Sequence, residues 1–546
     1  MSGALTLLLV ALAPAAWLVR TVPVALVAAR MLQIEEYEDA RFLRWGMSRA
    51  WLAHPAVVAA AAVSVAALVG ALVGSTQANR VVASGWLVAS LVGALLWSWT
   101  PAKRALVVTA RMRRILVVTA VYGAALAAVI AVLLAVGLWL AAALLCVAVA
   151  CTTGVTQLLL VAADESLRPV EAGIRRGYLR RARTRIAEVS PLVIAVAGSY
   201  GKTSTKHILA QLFADQAAVL PTRKSFNTLM GVTRVINEDL KARHRVFVVE
   251  MDAYATGEIA AIGDLVHPAI AVLTSVGPQH LERFGDMGAI AAALYEVVQA
   301  LPAGGTAFIH AGDAGGAVLA ERAAAEQRDV VRYGIAGTAK ALDVFASDVV
   351  LDGSGARFRW TWPKHELQRD VSIPLLGRHQ VLNVSAALAV VHRLGNDLDA
   401  AVAAAARLRP VEHRLEPLAV TGPVRVIDDS YNANPVGVHD ALDVLAVLDG
   451  GAKVLVTPGL VELGAVEEAE NRRYGEHAAT VCDHVIVVLA KPAAALQAGL
   501  RAGGMPPDRI HVARDLGDAT AIIGRITHAG DTVLFANDLP DTYLAG

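Results

Sequence analysis

The stretch from Ile115 to Ala163 contains no charged residue in 49 consecutive positions. A run of this length is typical of membrane helices, because about 20 apolar residues are enough to cross roughly 30 Å of hydrocarbon. It has room for two spans that turn near Gly137. Two shorter uncharged runs, Pro55–Gly74 and Val81–Trp99, precede it and predict one span each.

The apolar run Gly3–Ala29 predicts a further span, although Arg20 interrupts it. It lacks the basic segment with which a signal peptide begins, so we expect it to be retained. The excess of apolar residues in the chain, 56% of the total, lies in this part. We therefore predict an α-helical membrane domain of about five spans over residues 1–164.

Basic residues predict the orientation of these helices. With the N-terminus outside, the segments 30–49 and 100–114 face the cytoplasm, and cytoplasmic loops are enriched in lysine and arginine. These two segments contain Arg30, Arg41, Arg44, Arg49, Lys103, Arg104, Arg111, Arg113 and Arg114. Because five spans are an odd number, the residues after Ala163 then lie on the side opposite to the N-terminus, in the cytoplasm. We expect a multi-pass protein of the cell membrane whose remaining domains, after residue 163, lie in the cytoplasm.

Residues 165–190 are predicted to form an arginine-rich linker helix next to the membrane. Glu165–Glu188 contains seven arginines, among them Arg175, Arg180 and Arg183. Two interpretations remain open: a solvated amphipathic linker, or a helix that contacts anionic lipid headgroups.

A phosphate-binding loop follows this linker. Gly198–Ser204 comes directly after the apolar run Leu192–Val196 and precedes a helical segment. In such a loop, backbone N–H groups bind phosphate oxygens, a lysine neutralises them, and a hydroxyl ligates Mg²⁺. The predicted nucleotide-binding residues are Gly198, Ser199, Gly201, Lys202, Thr203 and Ser204, and the predicted ligand is ATP.

Short apolar runs alternate with alanine-rich helical stretches after residue 190, which predicts parallel sheets covered by helices. The runs are Val246–Val249, Ala269–Leu273, Val424–Ile427 and Lys453–Val456. Functional residues of such sheets lie after the carboxyl ends of strands. Glu250 and His280 occupy such positions, and with Thr203 they predict a Mg²⁺ site. Taken alone, His280 is an ordinary polar loop residue.

Charge and cysteine content exclude some classes of protein. A formal net charge of +1 gives no reason to expect a nucleic-acid partner. Three cysteines, two of them in an apolar stretch, provide neither a disulfide framework nor a cysteine-based metal site.

These segments together resemble the Mur ligase family, whose members join a carboxylate to an amine with ATP in peptidoglycan synthesis. The resemblance covers about residues 190–490. It is carried by Gly198–Ser204, Asn227-Thr228, Glu250, Gly277–Glu282, Gly377–Asn383, His413-Arg414 and Asp428–Pro435. The last of these segments resembles that of members that add D-alanyl-D-alanine to a muramoyl tripeptide. The resemblance implies a central ATP-binding domain over 191–410 and a Rossmann-like C-terminal domain over 411–546.

The resemblance also implies roles for individual residues. Catalysis falls to Lys202, Glu250, His280 and Arg414, and Arg414 reaches the nucleotide phosphates. Gln380 and Asn383 contact the adenine, and Asp429 lies near the ribose. The implied substrate-binding residues are Asn227, Thr228, Tyr431, Asn432 and Asn434.

The chain departs from the family in three places. Leu294 stands where members commonly have a carbamoylated lysine that organises a second Mg²⁺. Membrane helices replace the usual domain for the UDP-sugar. The tail has Phe535–Asp538 where the D-alanyl-D-alanine ligase commonly has a Lys-Gly-Ser type of ending.

We therefore predict a membrane-anchored, ATP-dependent amide ligase of cell-envelope synthesis. Its expected partners are Mg²⁺, membrane lipids, a small-molecule or lipid-linked peptidoglycan precursor, and an amino acid or dipeptide. Two alternatives remain: a nucleotide-gated transporter or sensor, and a catalytically altered nucleotide-binding scaffold. Spans almost free of ionisable residues argue against the transporter. The oligomeric state is open.

Overall fold

The structure is a computed structural model that describes most of the chain. The described residues are 2–35, 37–46, 55–73, 78–96, 105–150, 152–279, 281–339, 341–419, 424–431, 433–489 and 492–538. The chain divides into two compact units, Met1–Arg176 and Gly177–Gly546.

Helices make up the described part of the first unit. They are α1 (Ser2–Ile34), α2 (Asp39–Gly46), α3 (Pro55–Val73), α4 (Ala78–Leu95), α5 (Ala110–Ala135), α6 (Trp139–Ala150) and α7 (Thr152–Val189). Within α1, α3 and α5, the segments Leu8–Ile34, Pro55–Val73 and Ala110–Ala135 are long and apolar enough to cross a membrane. A fourth span results if α6 and α7, bent by 88° at a short break, count as one. The prediction of about five spans is therefore not confirmed.

The 49-residue uncharged run divides close to its predicted turn. Helix α5 ends at Ala135 and α6 begins at Trp139, with Gly137 between them at a φ of +86°. This conformation is strained for residues with a Cβ, so glycine suits the turn. The second half differs from the prediction, because it is split between the short helix α6 and the start of α7.

Arg20 is a buried cation on α1. It is 3% exposed, and its guanidinium nitrogens lie 3.4 Å from the carbonyl oxygen of Ala89 on α4 and 3.5 Å from that of Ala56 on α3. Two backbone oxygens from other helices therefore lie close to this buried charge.

The predicted linker 165–190 is not a separate element, because α7 runs without interruption from Thr152 to Val189. In the first unit, Asp164 accepts two hydrogen bonds from Arg111, at 2.9 and 3.1 Å. In the second unit, Ala182 and Ile186 of α7 are buried in an apolar cluster. Arginines 180, 181 and 183 are exposed, so both interpretations of this segment stay open.

Two sheets form the frame of the second unit. Their strands are β1 (Leu192–Ala197), β2 (Val219–Pro221), β3 (Val246–Glu250), β4 (Ile270–Leu273), β5 (Thr306–His310), β6 (Asp329–Ile335), β7 (Val344–Asp352), β8 (Gly355–Trp362), β9 (Leu367–Ile373), β10 (Glu416–Leu418), β11 (Arg425–Asp429), β12 (Lys453–Thr457), β13 (His484–Val488), β14 (Ile510–Ala513) and β15 (Thr532–Ala536). The larger sheet has the order β2-β3-β1-β4-β5-β6-β7-β8-β9, and the smaller one β10-β11-β15-β12-β13-β14. The four predicted runs correspond to β3, β4, β11 and β12.

Both sheets are mostly parallel, as predicted. The antiparallel exceptions are β7 with β8, β8 with β9, and β10 with β11. Alternate residues of the larger sheet enter two apolar clusters, one on each face, so Val248 and Val249 belong to different clusters. The described helices that cover the sheets are α8 (Lys202–Phe213), α9 (Leu229–Glu238), α10 (Glu258–Val266), α11 (Leu281–Phe284), α12 (Met287–Gln299), α13 (Ala314–Ala325), α14 (Arg378–Arg393), α15 (Leu398–Ala405), α16 (Pro435–Val447), α17 (Glu467–Val481), α18 (Ala493–Ala502) and α19 (Leu516–Ile526).

The register of the larger sheet brings three functional segments together. Val196 of β1 pairs with Glu250 of β3, and Ala197 pairs with Leu273 of β4. The phosphate-binding loop, Glu250 and the segment after Leu273 therefore leave the sheet at one edge.

Candidate active site

Two glycines shape the phosphate-binding loop between β1 and α8. Gly198 has a φ of +143° and Gly201 a φ of +82°. A Cβ on Gly198 would lie 2.1 Å from Thr274 Oγ1, and one on Gly201 would lie 2.8 Å from Asn383 Oδ1. Both positions therefore require glycine for conformation and for space. Gly201 is the N-cap of α8, so the first N–H groups of this helix face the loop.

Ser199 connects this loop to the segment after β4. Its Oγ donates to Gly277 O at 2.9 Å and accepts from Gly277 N at 3.0 Å. Ser204 is buried in the first turn of α8.

Lys202 is held at the loop by several oxygens. Its Nζ donates to Gly198 O at 2.6 Å and to Gln279 Oε1 at 3.3 Å, and it lies 3.2 Å from Asp252 Oδ1. The side chain is 6% exposed. The cation is therefore fixed beside the N–H groups that would bind phosphate oxygens.

Glu250 is the centre of a hydrogen-bonded cluster at the end of β3. Its Oε1 accepts from Thr203 Oγ1 at 3.1 Å and from Asn227 Nδ2 at 3.0 Å. Its Oε2 pairs with Lys206 Nζ at 2.8 Å. Burial raises the pKa of Glu250, but Lys206, Lys202 and the Asn227 hydrogen bond lower it further, so the net pKa lies below its ordinary value.

Thr203 and Glu250 fit the Mg²⁺ that the family implies. The hydroxyl and carboxylate oxygens are adjacent and hard, and Glu250 is ionised, which suits a cation that prefers oxygen ligands. The third predicted ligand, His280, lies outside the described residues.

Gln380 and Asn383 are buried on α14 and bonded to each other, with Asn383 Nδ2 donating to Gln380 Oε1 at 3.1 Å. Asn383 Oδ1 accepts from Thr205 Oγ1 at 3.1 Å. Asn383 is therefore hydrogen-bonded to the first turn of α8, and Gln380 is bonded to Asn383. Their contact with adenine stays a prediction.

Arg414 and Tyr431 lie together on the C-terminal side of the site. The Arg414 guanidinium carbon is 4.9 Å from the centre of the Tyr431 ring. The Tyr431 hydroxyl hydrogen bonds to Ser225 Oγ, in the loop that leads to Asn227. This contact joins the two sheet domains next to the predicted carboxylate-binding residues.

Two of the remaining predicted substrate residues, Thr228 and Asn434, cap helices. Thr228 is the N-cap of α9 and accepts from Gly231 N at 3.3 Å. Asn434 is the N-cap of α16 and accepts from Gly437 N at 2.8 Å. Asn432 lies outside the described residues. Substrate contacts of Thr228 and Asn434 stay predictions.

Leu294 lines a small cavity beside the phosphate-binding loop. The cavity is also lined by Gly198, Ser199, Asp252, Ala253, Gln279, Phe284 and Ile290. Leu294 is buried on α12, so its side of the cavity is apolar. The side chain at this position offers no ligand atom to a cation.

Four residues of the site were not predicted: Lys206, Asp252, Ser225 and Asn537. Lys206 lies one helical turn after Lys202, and Asp252 lies two residues after Glu250, so local spacing could have indicated both. Asn537 accepts from Ala433 N at 3.3 Å and donates to Gly459 O, which fixes the loop after β11. Its role follows from contacts across 104 and 78 positions of the chain, which local patterns do not reveal.

Asp429 has a half-buried carboxyl group, and burial makes its charged form less stable than it is in water. Burial raises the pKa of Asp429 to about 6, although Arg414 and His379 lower it. Its Oδ1 accepts from Leu415 N at 3.1 Å. The predicted contact of Asp429 with the ribose is not tested by this geometry.

Asp429→Asn is expected to stabilise the protein at high pH and to have less effect at low pH. A carboxyl with a raised folded-state pKa stabilises the fold fully below about pH 4, and this contribution is lost as the pH rises through about 6. The advantage of the variant in free energy of unfolding should grow by roughly 1 to 2 kcal/mol between pH 5 and pH 8. Thermal melting in detergent at both pH values measures it. Asp449→Asn, at an exposed position of the same domain, is the control, and an equal pH response in both variants would refute the prediction.

Two domain matches cover most of the described strands. Residues 196–391 match the Mur ligase middle domain, and residues 413–537 match the Mur ligase glutamate ligase domain. Together the matches extend over more than half of the chain. The chain belongs to the Mur ligase family.

The relatives and solved structures that resemble this chain include several D-alanyl-D-alanine-adding (MurF) ligases. The UDP-N-acetylmuramoyl-tripeptide–D-alanyl-D-alanine ligase of Mycobacterium tuberculosis (strain H37Rv) is 35% identical over 291 residues, which are 52% of this chain and 55% of that protein. MurF from Acinetobacter baumannii superposes with a TM-score of 0.59 at 28% identity, over 67% of this chain and 77% of that one. MurF ligase from Thermotoga maritima in complex with ADP gives a TM-score of 0.58 at 26% identity, over 66% and 80%. This chain spans about half the length of the curated relatives it matches.

Proposed function

We propose that this protein is an ATP-dependent, ADP-forming ligase that joins a carboxylate to an amine in peptidoglycan synthesis. The observation that carries the proposal is the cluster around Glu250. An ionised carboxylate, the Thr203 hydroxyl and Lys202 meet at a helix N-terminus, which is the chemistry required to bind a triphosphate with its cation.

The reaction begins with a carboxylate, which resists nucleophilic attack because of its charge. A carboxylate oxygen attacks the γ-phosphorus of ATP, and the bond to the β-phosphate oxygen breaks, giving an acyl phosphate and ADP. Lys202 and the N–H groups of α8 stabilise the charge on the transferring phosphoryl group. Thr203 and Glu250 would hold Mg²⁺, which would supply additional neutralisation of the phosphate charge.

The second half of the reaction occurs at the C-terminal side of the site. The neutral amine attacks the acyl carbon, phosphate leaves with the electron pair of the broken C–O bond, and the nitrogen gives up one proton to solvent. Asn227 is placed to orient the carboxylate substrate, and Arg414 and Tyr431 close the site from the other domain. The hydrogen bond of Tyr431 with Ser225 and the packing of Arg414 on the Tyr431 ring support this role, because an acyl phosphate must be kept from water.

The relatives suggest the substrates: a UDP-N-acetylmuramoyl tripeptide and D-alanyl-D-alanine. Residues 1–195 lie outside the two domain matches. We therefore also propose a lipid-linked form of the precursor as a substrate. The full protein, with ATP and Mg²⁺, should convert at least one of these two precursors to the amide with one ADP per bond. Mass spectrometry and ADP release measure both products, and their absence with both precursors contradicts the proposal.

We further propose that the first unit anchors the enzyme in the cell membrane, with about five spans and the catalytic domains in the cytoplasm. Support comes from the three apolar helices that are long enough to span it. Alkaline carbonate extraction of membranes should leave the protein in the pellet, whereas a peripheral membrane protein is released. Release of this chain into the supernatant would refute the anchor.

A further inference from the structure

We propose that Asp252 is a further oxygen ligand of the divalent cation that accompanies the nucleotide, and that it gives up Lys202 to the phosphates when the nucleotide binds. This inference rests on the proposed function. It concerns the metal-binding chemistry of the site rather than the substrates.

Asp252 is placed at the phosphate-binding loop by the strand that carries Glu250. It lies two residues beyond Glu250, at the carboxyl end of β3, and lines the cavity beside Gly198 and Ser199. Its side chain is 15% exposed, and its Oδ1 lies 3.2 Å from Lys202 Nζ. The carboxylate therefore faces the position where phosphate oxygens would be bound.

Asn227 ties the two carboxylates together. Its Nδ2 lies 3.0 Å from Glu250 Oε1 and 3.4 Å from Asp252 Oδ2. The backbone adds a second connection, because Asp252 N donates to Asn227 O at 3.0 Å. Both carboxylates thus present one oxygen to the same amide group, next to the Thr203 hydroxyl. Three oxygen-bearing side chains converge there, a donor set that suits Mg²⁺.

The other described residues that line the cavity offer no charged side chain. Phe284, Ile290 and Leu294 contribute apolar side chains. Among the described residues that line this cavity, Asp252 is the one with a carboxylate. Of these lining side chains, only that of Asp252 would supply a charged ligand to a cation held here.

Lys202 and the proposed cation compete for the carboxylate of Asp252. With no cation, the carboxylate and Lys202 neutralise each other at 3.2 Å. Bound phosphates attract Lys202, and a cation then replaces it as the partner of Asp252. Removal of the carboxylate should consequently weaken the effect of Mg²⁺ on nucleotide binding, while binding without Mg²⁺ stays the same or becomes tighter.

Calorimetric titration of the full protein with ADP, in EDTA and in Mg²⁺, tests this inference. For Asp252→Asn, the gain in ADP affinity produced by Mg²⁺ should fall by roughly 10- to 100-fold. The affinity in EDTA should not fall. Electron paramagnetic resonance with Mn²⁺ and ADP should show correspondingly weaker Mn²⁺ binding. Asp252→Ala, which leaves no ligand atom, is the second neutral variant, in case Asp252→Asn folds poorly.

The control is Asp264→Asn, at an exposed acidic position on α10. It should leave both affinities unchanged. A full Mg²⁺ effect in both Asp252 variants overturns the inference, and so does an equal loss of affinity with and without Mg²⁺, which would indicate a structural role. Failure of the unmodified protein to bind ADP in Mg²⁺ is a different result, because it contradicts the proposed function itself.

Discussion

Lys202→Ala is expected to reduce ATP-dependent amide formation by about 10³-fold, because it removes the fixed cation beside the transferring phosphoryl group. Lys202 Nζ is held by Gly198 O and Asp252 Oδ1 at the N-terminus of α8. Preorganised charge of this kind stabilises the transition state without reorganisation during the reaction. The measurement is ADP release and amide formation by the full protein.

Lys364→Ala is the matched control, because Lys364 is exposed in the same domain. Its activity should equal that of the unmodified protein. Unchanged melting of Lys202→Ala would show that the loss arises in the chemistry and not in folding. Normal cell-envelope synthesis in a strain that carries only Lys202→Ala would contradict the ligase proposal and favour the scaffold.

Lys206→Met is expected to be the most destabilising single change in the site. Lys206 is completely buried and pairs with Glu250 Oε2 at 2.8 Å. Removal of one partner leaves an uncompensated charge in the interior, which typically costs about 3 to 5 kcal/mol. The free energy of unfolding of the central domain should fall by that amount, as measured by hydrogen exchange of the α8 amides.

The double variant Lys206→Met/Glu250→Gln separates the pair from the packing. It removes both charges, so it should recover a large part of the stability lost in the single variant. It should not recover activity, because Glu250 is a proposed metal ligand. Lys241→Met, at an exposed position, is the control. A double variant as unstable as Lys206→Met would show that the methionine packs badly and that the charge is not the cause.

The sequence was sufficient to predict the frame of the site. The strand before the loop, the position of Glu250 at the end of β3 and the parallel sheets all follow from local patterns of apolar residues and turn residues. Strand ends that meet at one edge then bring Thr203 and Glu250 together. These features depend on short stretches of chain, which is why the sequence reveals them.

The contacts made by distant residues could not be predicted in this way. Ser225 meets Tyr431, and Thr205 meets Asn383, across 206 and 178 positions. Thr228 and Asn434 fit the substrate pattern of the family, yet their side chains cap helices. A side chain's partner depends on packing in three dimensions, and spacing along the chain does not specify it.

The helical unit shows a different limit of sequence patterns. An uncharged run predicts that helices cross a membrane but does not fix where they break, because apolar residues on every side leave no periodicity to read. The division of the 49-residue run into α5, α6 and the start of α7 is therefore a tertiary property. Gly137 did indicate the turn between α5 and α6.

Arg20 carries a consequence for how the protein is made. Its guanidinium lies near the carbonyl oxygens of Ala56 and Ala89, which belong to helices that the ribosome synthesises later than α1. In a bilayer, an isolated α1 would expose this charge to hydrocarbon at a cost of about 2.5 to 3.5 kcal/mol near the helix centre. If the first unit spans a membrane as proposed, α1 is expected to be stable there only after α3 and α4 have been made, so the order of synthesis affects how the proposed anchor assembles.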